Sequence, residues 1–228
     1  MKYKKKVKTL LVTAGLCALV TGTIYAAENK PVDVAADTVE YNSKSGQITA
    51  KGNVVMLQDG ARITGAEAQY NAKTQEALIT GGVVADKEDM HMTADNVRTA
   101  GKDHMIASGS VVATKADKTL TGPVVEYFAD RQYMIVPSSA KVVMKDGVFT
   151  SDKMEAYLNE DHLIGTGNVH IVSAPRNLEA FGDQADYYGK EDGKVILTGN
   201  AVATQDNNTL KSNRLTLYLA DGQAEVKE

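Results

Sequence analysis

The side chains able to do acid–base, nucleophilic or metal chemistry are few in this sequence and stand apart from one another. The four histidines, His91, His104, His162 and His170, have no spacing that would bring two of them to one metal ion. Cys17 is the only cysteine, so neither a disulfide framework nor a thiolate metal site can form. Aspartate recurs in step, at Asp37, Asp95, Asp152 and Asp183, each alone at its place as a turn or edge residue and not as half of a carboxylate pair. There is no glycine-rich phosphate loop, no Gly-x-Ser-x-Gly elbow and no Cys–His pair. Catalysis needs such groups to converge. The expectation is therefore histidines in ordinary surface roles, no metal, no cofactor and no enzyme.

The first eight residues hold five lysines (Lys2, Lys4, Lys5, Lys6, Lys8), and Thr9 to Ala27 is uncharged and rich in Leu, Val and Ala. It ends in Tyr25-Ala26-Ala27-Glu28. A basic head, an apolar middle and small residues before a polar stretch make a secretory signal peptide. The predicted division is a leader over 1–26, cleaved near Ala26, and a single exported domain over 27–228. The alternative is an uncleaved membrane anchor, since 19 uncharged residues approach a bilayer span. All 29 acidic side chains lie beyond Ala26, whereas five of the 25 basic ones precede it, which leaves 20 basic against 29 acidic and a net charge of −9 for the exported part. A surface this acidic argues against nucleic acid and against flat binding to an anionic membrane.

The elements that carry the remaining residues repeat. A small residue followed two positions later by Val or Ala returns as Gly52-Asn53-Val54, Gly81-Gly82-Val83, Gly109-Ser110-Val111, Ala140-Lys141-Val142, Gly167-Asn168-Val169 and Gly199-Asn200-Ala201. The spacings are 29, 28, 31, 27 and 32 residues. A bulky residue two before a small one follows each (Ile63-Thr64-Gly65, Met92-Thr93-Ala94, Leu120-Thr121-Gly122, Phe149-Thr150-Ser151, Leu178-Glu179-Ala180, Leu210-Lys211-Ser212). Next comes an apolar-x-Tyr motif, as in Val39-Glu40-Tyr41, Ala68-Gln69-Tyr70, Val125-Glu126-Tyr127 and Ala185-Asp186-Tyr187. The third copy replaces its tyrosine with Thr99, and the fifth has one extra residue before Tyr157.

Around each first anchor, apolar or small residues alternate strictly with polar ones, for example Ile48, Ala50, Gly52, Val54 and Met56 against Thr49, Lys51 and Asn53. A period of two over nine residues, six times over, predicts half-buried β-strands. Asp, Asn, Gly and Lys cluster between them as turns. The parity slips by one between the second anchor and the Tyr motif, which predicts a bulge or corner there. The fold class is all-β: about six antiparallel repeats of ~29 residues stacked as two sheets around a continuous core. The inward Gly and Ala residues are expected to form a middle row of low volume, either for close sheet approach or as the floor of a slot. The register points Val54, Met56, Ile63, Val83, Met92, Val111, Leu120, Val142, Met144, Phe149, Val169, Ile171 and Leu178 inward.

The runs Ala36-Asp37-Thr38-Val39-Glu40-Tyr41, Ile48-Thr49-Ala50-Lys51-Gly52-Asn53-Val54 and Ile63-Thr64-Gly65, echoed by Ala94-Asp95, Gly167-Asn168-Val169 and Gly199-Asn200, resemble the repeat of the organic-solvent-tolerance-A-like (OstA-like) family. The resemblance covers nearly all of the exported chain. It implies a β-jellyroll, a slightly twisted V-shaped slot, in which the acyl chains of lipopolysaccharide sit inside while the sugars stay in water. The thirteen inward residues would then line the acyl-chain groove. It also implies a periplasmic bridge from inner to outer membrane, built of jellyrolls joined head to tail, with an inner-membrane export complex and an outer-membrane translocon as partners. Unpaired strand edges at Val32–Tyr41 and Leu215–Val226 are the expected docking edges. Two alternatives stay open: a membrane-anchored component of the same export machine, and a non-catalytic structural β filament. A polysaccharide-active solenoid would need a cluster of acids that the sequence lacks.

Overall fold

Alternating side chains with turn residues between them fold the described residues of this chain into successive antiparallel hairpins. The computed structural model describes residues 10–13 (backbone only), 31–58, 60–74, 76–100, 103–189 and 193–219, which form two compact units, 1–109 and 110–228. The leader and its cleavage point lie outside the described residues, apart from β1 (Leu10–Thr13), whose backbone runs antiparallel to β2 (Pro31–Ala35).

In the first unit β3 (Thr38–Asn42), β4 (Gln47–Gln58), β5 (Ala61–Asn71), β6 (Glu76–Lys87) and β7 (Met90–Ala100) pair in order, and β2 takes the half of β4 that β3 leaves free. β8 (His104–Lys115) runs across the 109/110 boundary. In the second unit β9 (Lys118–Phe128) pairs through one half with β10 (Tyr133–Val136) and through the other with β11 (Ala140–Met144). β12 (Gly147–Ser151) and β13 (Lys153–Tyr157) share the two halves of β14 (His162–Ser173) in the same way. β15 (Leu178–Tyr188), β16 (Lys194–Gln205) and β17 (Asn208–Tyr218) complete it, with a short 3-10 turn at Ala174–Arg176.

The strands β4 to β7 and β14 to β17 each break register near the middle. In β4 and β5 Lys51 faces Glu67 and Val54 faces Gly65, so Gly52 and Asn53 together oppose Ala66 alone. Breaks of the same kind fall at Gly81-Gly82, Gly167-Asn168 and Gly199-Asn200. Both residues of the pair are left-handed, as in Gly167 at φ +77° and Asn168 at φ +45°. An L side chain tolerates that region poorly unless it is Asn or Asp, which is why the motif is Gly-Asn. The extra residue therefore sits on the Gly-Asn strand. The parity slip expected on the neighbouring strand is the other side of the same bulge: in β5 the buried set moves from Ala61 and Ile63 to Ala68 and Tyr70.

The bulge divides each strand into two arms. The A arm holds the starts of β4, β6, β14 and β16 with the ends of β5, β7, β15 and β17; the B arm holds the remainder. The arms face each other within a unit. Phe149 of the B arm reaches across to the A arm, where a β-carbon on Gly165 would lie 2.5 Å from its Cζ. Gly65 and Gly122 are likewise covered by Ile79 and Val136, at 2.7 and 2.5 Å from a would-be β-carbon.

The expected low-volume middle row is corrected here. Gly52, Gly109, Gly167 and Gly199 lie part-exposed at the bulge, not inside, and each backs onto an aspartate: a β-carbon there would lie 2.4, 2.1, 2.5 and 2.3 Å from Oδ2 of Asp37, Asp95, Asp152 and Asp183. Backbone conformation and the packed carboxylate demand glycine, not a slot floor.

Candidate functional site

The inward residues form rows of cross-strand partners. In the B arm of the first unit the row runs Val34, Met56, Ile63, Ala85, Met92. In the second unit it runs Leu120, Val142, Phe149, Ile171, Ala180, Ala203, Leu210. Val54 and Val83 stand one step nearer the bend, opposite Gly65 and Ala94, and Val169 stands opposite Gly182. Leu178 faces Ser173 at the far end of the arm. Eleven of the thirteen residues picked from the register, Val111 among them, are at most 6% exposed. Leu120 and Met144 are half-buried, Met144 because it abuts the Lys145–Asp146 turn. At the terminal strands inward positions open to solvent: Val39 is 36%, Tyr41 51% and Leu210 41% exposed. An apolar track thus reaches an uncovered end in each unit. Among the described residues no helix is long and apolar enough to cross a membrane.

The bend edge is held by side chains. Asn53 Nδ2 donates to Asp37 Oδ2 at 2.9 Å, Asn168 to Asp152 at 2.8 Å and Asn200 to Asp183 at 2.9 Å. Backbone N–H groups of Asp37 and Asp152 donate to Gly52 and Gly167 carbonyls at 2.8 Å. Where Ala66 takes the aspartate's place against Gly81, Gly82 takes the asparagine's. The recurring aspartates therefore have a structural task at the corner.

The opposite edge, where the turns lie, carries groups that the sequence did not reveal. In the second unit Lys118, at the B-arm end, reaches Asp161 of an A-arm turn at 3.5 Å. Arg176, at another B-arm end, donates to Ser173 Oγ at 3.1 Å, to Asp146 Oδ2 at 3.4 Å and to the carbonyl of Leu219 just beyond the A-arm end of β17. Tyr187 turns inward between these groups. Burial raises its phenol above the ordinary 10; Asp161 and Asp146 push the same way, and Lys118 and Arg176 oppose. The lysines and arginines of the sequence show no pattern that marks Lys118 or Arg176 beforehand, because the partners lie 43 residues apart.

The outer face of the A arm bears a ladder of rings. Phe128, Tyr133, Tyr157, His162 and Tyr188 are successive cross-strand partners with centroids 5.8, 5.1, 5.7 and 4.3 Å apart. This explains the extra residue in the fifth copy: it turns Tyr157 outward into the ladder and leaves Ala156 inward, 7% exposed. It also corrects the surface role expected of His162, whose side chain is 12% exposed, stacked between Tyr157 and Tyr188, with Nε2 at 3.1 Å from Asp186. His91 pairs with Asp86 at 2.7 Å and His170 with Glu179 at 2.9 Å, both at exposed sites, while His104 is half-buried. Within the ladder, the Tyr133 hydroxyl donates to Glu155. Burial, then this bond, raises the Tyr133 phenol far above its usual value. The bonds from Lys153 and Tyr133 hold the Glu155 carboxyl below the ordinary 4.5. Among the described residues no group of three or more His, Cys, Asp or Glu could hold a metal ion.

A family model described as "LptA/(LptD N-terminal domain) LPS transport protein" matches residues 4–76 and 99–223. The lipopolysaccharide export system protein LptH of Pseudomonas aeruginosa is 24% identical over 179 residues, which is 75% of this chain and 90% of that protein. The crystal structure of P. aeruginosa LptH, described as the LptA-homologous periplasmic component of the conserved lipopolysaccharide transport device, aligns at 17% identity with a TM-score of 0.35, over 63% of this chain and 94% of that one.

Proposed function

Because the chain belongs to the family of LptA and LptD N-terminal-domain lipopolysaccharide transport proteins, we propose that it carries lipopolysaccharide across the periplasm with the acyl chains held in its apolar interior. In this reading residues 1–26 direct export and are removed near Ala26, and 27–228 is the transport domain. The acyl-chain contacts are Val54, Met56, Ile63, Val83 and Met92 in the first unit. In the second they are Val111, Leu120, Val142, Met144, Phe149, Val169, Ile171 and Leu178.

The observation that carries the reading is the unbroken apolar row from Leu120 to the exposed Leu210. Drawing an acyl chain out of a membrane costs about 0.8 kcal/mol per methylene, so roughly 10 kcal/mol for a twelve-carbon chain. Only a long apolar track offsets that, and flexible methionines such as Met56 and Met92 suit mobile chains. Lipid moves from inner to outer membrane as each open end hands it on. In the structure β2 is paired with β1 of the leader; once residues 1–26 are removed, the edge strands at β2–β3 and at β17 pair with the export complex, the outer-membrane translocon or a second copy. The described part of the second edge stops at 219, so 220–226 of the expected docking segment lie outside the described residues.

Photo-crosslinking tests this. A photoreactive residue at Ile171 should capture lipopolysaccharide, while one at Glu179, which points outward and is 53% exposed, should not. Capture at neither position would leave a closed core and favour the structural filament.

A further inference from the structure

Tyr70, near the A-arm end of β5, is 4% exposed, and its hydroxyl is buried with no hydrogen-bond partner. Its cross-strand neighbours, Ile48 and Ala77, are buried and apolar, so nothing beside it calls for a polar atom. Such an orphan is destabilising, and phenylalanine at this position would avoid the penalty. Other residues at the same place in the repeat have their hydroxyls provided for. Tyr41 is 51% exposed to water. Thr99 Oγ1 accepts the N–H of Ala77 at 2.8 Å. Tyr127, itself 1% exposed, accepts from Gln132 Nε2 at 2.8 Å. In each unit the apolar-x-Tyr position thus lies at the inner lip of its own A arm, beside the turns, and of these four only Tyr70 is buried with its hydroxyl unpaired.

The lip is where an acyl chain entering the interior would leave its polar head, and the group at that junction is an ester or amide carbonyl. A carbonyl only accepts; a phenol donates. Burial raises the Tyr70 phenol above its ordinary 10, so the donor stays protonated at neutral pH.

We propose that the Tyr70 hydroxyl is a ligand contact of the first unit, donating a hydrogen bond to the carbonyl that joins an acyl chain to its head group. This rests on the acyl-carrier reading given above and adds to it a selectivity for ester- or amide-linked chains over plain alkyl chains.

The experiment titrates the full exported chain with two probes, the dodecanoyl ester of glucose and the matching dodecyl ether, which differ only in the carbonyl. The wild type should bind the ester roughly tenfold more tightly, the scale of one buried hydrogen bond. Tyr70→Phe should bring the ester down to the affinity of the ether and leave the ether unchanged. Tyr127→Phe, whose hydroxyl is already engaged, should keep the preference. Free Tyr70→Phe should melt at or above the wild-type temperature, because only an orphan hydroxyl is lost. Equal binding of both probes by the wild type, a preference that survives Tyr70→Phe, or a lowered melting temperature for the free variant would each overturn the assignment and leave the carrier reading standing. Binding of neither probe would overturn the carrier reading itself, and Tyr70 with it.

Discussion

The two long edges of each arm pair are built differently. At the bend edge the same parts recur: a left-handed glycine, an asparagine and an aspartate bridged at 2.8–2.9 Å, in the first unit (Asp37 with Asn53) and twice in the second (Asp152 with Asn168, Asp183 with Asn200). At the turn edge of the second unit nothing recurs. One exposed ion pair, Lys118 with Asp161, and one half-buried arginine, Arg176, join the arm ends, each with its own partners. A bulge is set by two adjacent residues and the strand beside them, so a short motif can specify it every ~29 residues. Contacts between turns depend on how far the arms close, and the turn residues themselves differ from copy to copy. The bend edge is therefore the fixed hinge side of the fold, and the turn edge the side whose contacts are individually replaceable.

The largest expected effect comes from the residue that ties the two arms together. Phe149→Ala removes a ring 1% exposed that covers Gly165, and should cost roughly 3–5 kcal/mol in urea unfolding. The bend edge should come next. Gly167→Val forces a branched side chain to φ +77° with its β-carbon 2.5 Å from Asp152 Oδ2, at a cost of about 3 kcal/mol. Gly82→Ala sharpens the cause: φ is +75° with nothing within 4 Å, so backbone strain alone should cost about 1 kcal/mol. If the two variants unfold alike, the packed carboxylate contributes nothing. Asp183→Ala should cost about 1 kcal/mol, and a double-mutant cycle with Asn200→Ala should recover most of it as coupling.

The turn edge should yield least. Lys118 and Asp161 are 51% and 40% exposed, so Lys118→Ala should change global stability by no more than about 0.5 kcal/mol. Amide exchange in the 158–161 turn should nevertheless quicken, because the tie between arm ends is gone. The smallest effect is on acid sensitivity. Glu155 has a folded-state pKa below 4.5, so its ionised form stabilises the protein above that pH, and this contribution fades as pH falls through the folded value. Glu155→Gln should flatten the stability curve in that acid window and leave its slope near neutrality unchanged. An unaltered acid limb would show that Lys153 and Tyr133 do not hold the carboxylate.

Most of the fold could be read from residue order. Strict alternation marks strands because successive side chains point to opposite faces, and Gly-Asn pairs mark bulges because few residues accept two left-handed conformations in a row. The same alternation places eleven of the thirteen chosen residues at 6% exposure or less. Reading stopped where identity and position have different causes. A glycine looks the same whether it sits beneath a neighbour's ring, as Gly165 does, or at a left-handed bend, as Gly167 does, so alternation alone puts the bend glycines in the inward row that alanines such as Ala140 do occupy. Two adjacent tyrosines, Tyr187 and Tyr188, differ only in parity, yet one lies among charges inside and the other stacks on His162 outside.

Local chain chemistry thus determined by itself the strands, their bends and which face of each strand is apolar, since these depend on neighbours one, two or about 29 residues away. The tertiary structure alone decided which side chains cross from arm to arm, which charges close the turn edge and which hydroxyl is left without a partner. Those are set by distances between segments that no spacing in the sequence encodes.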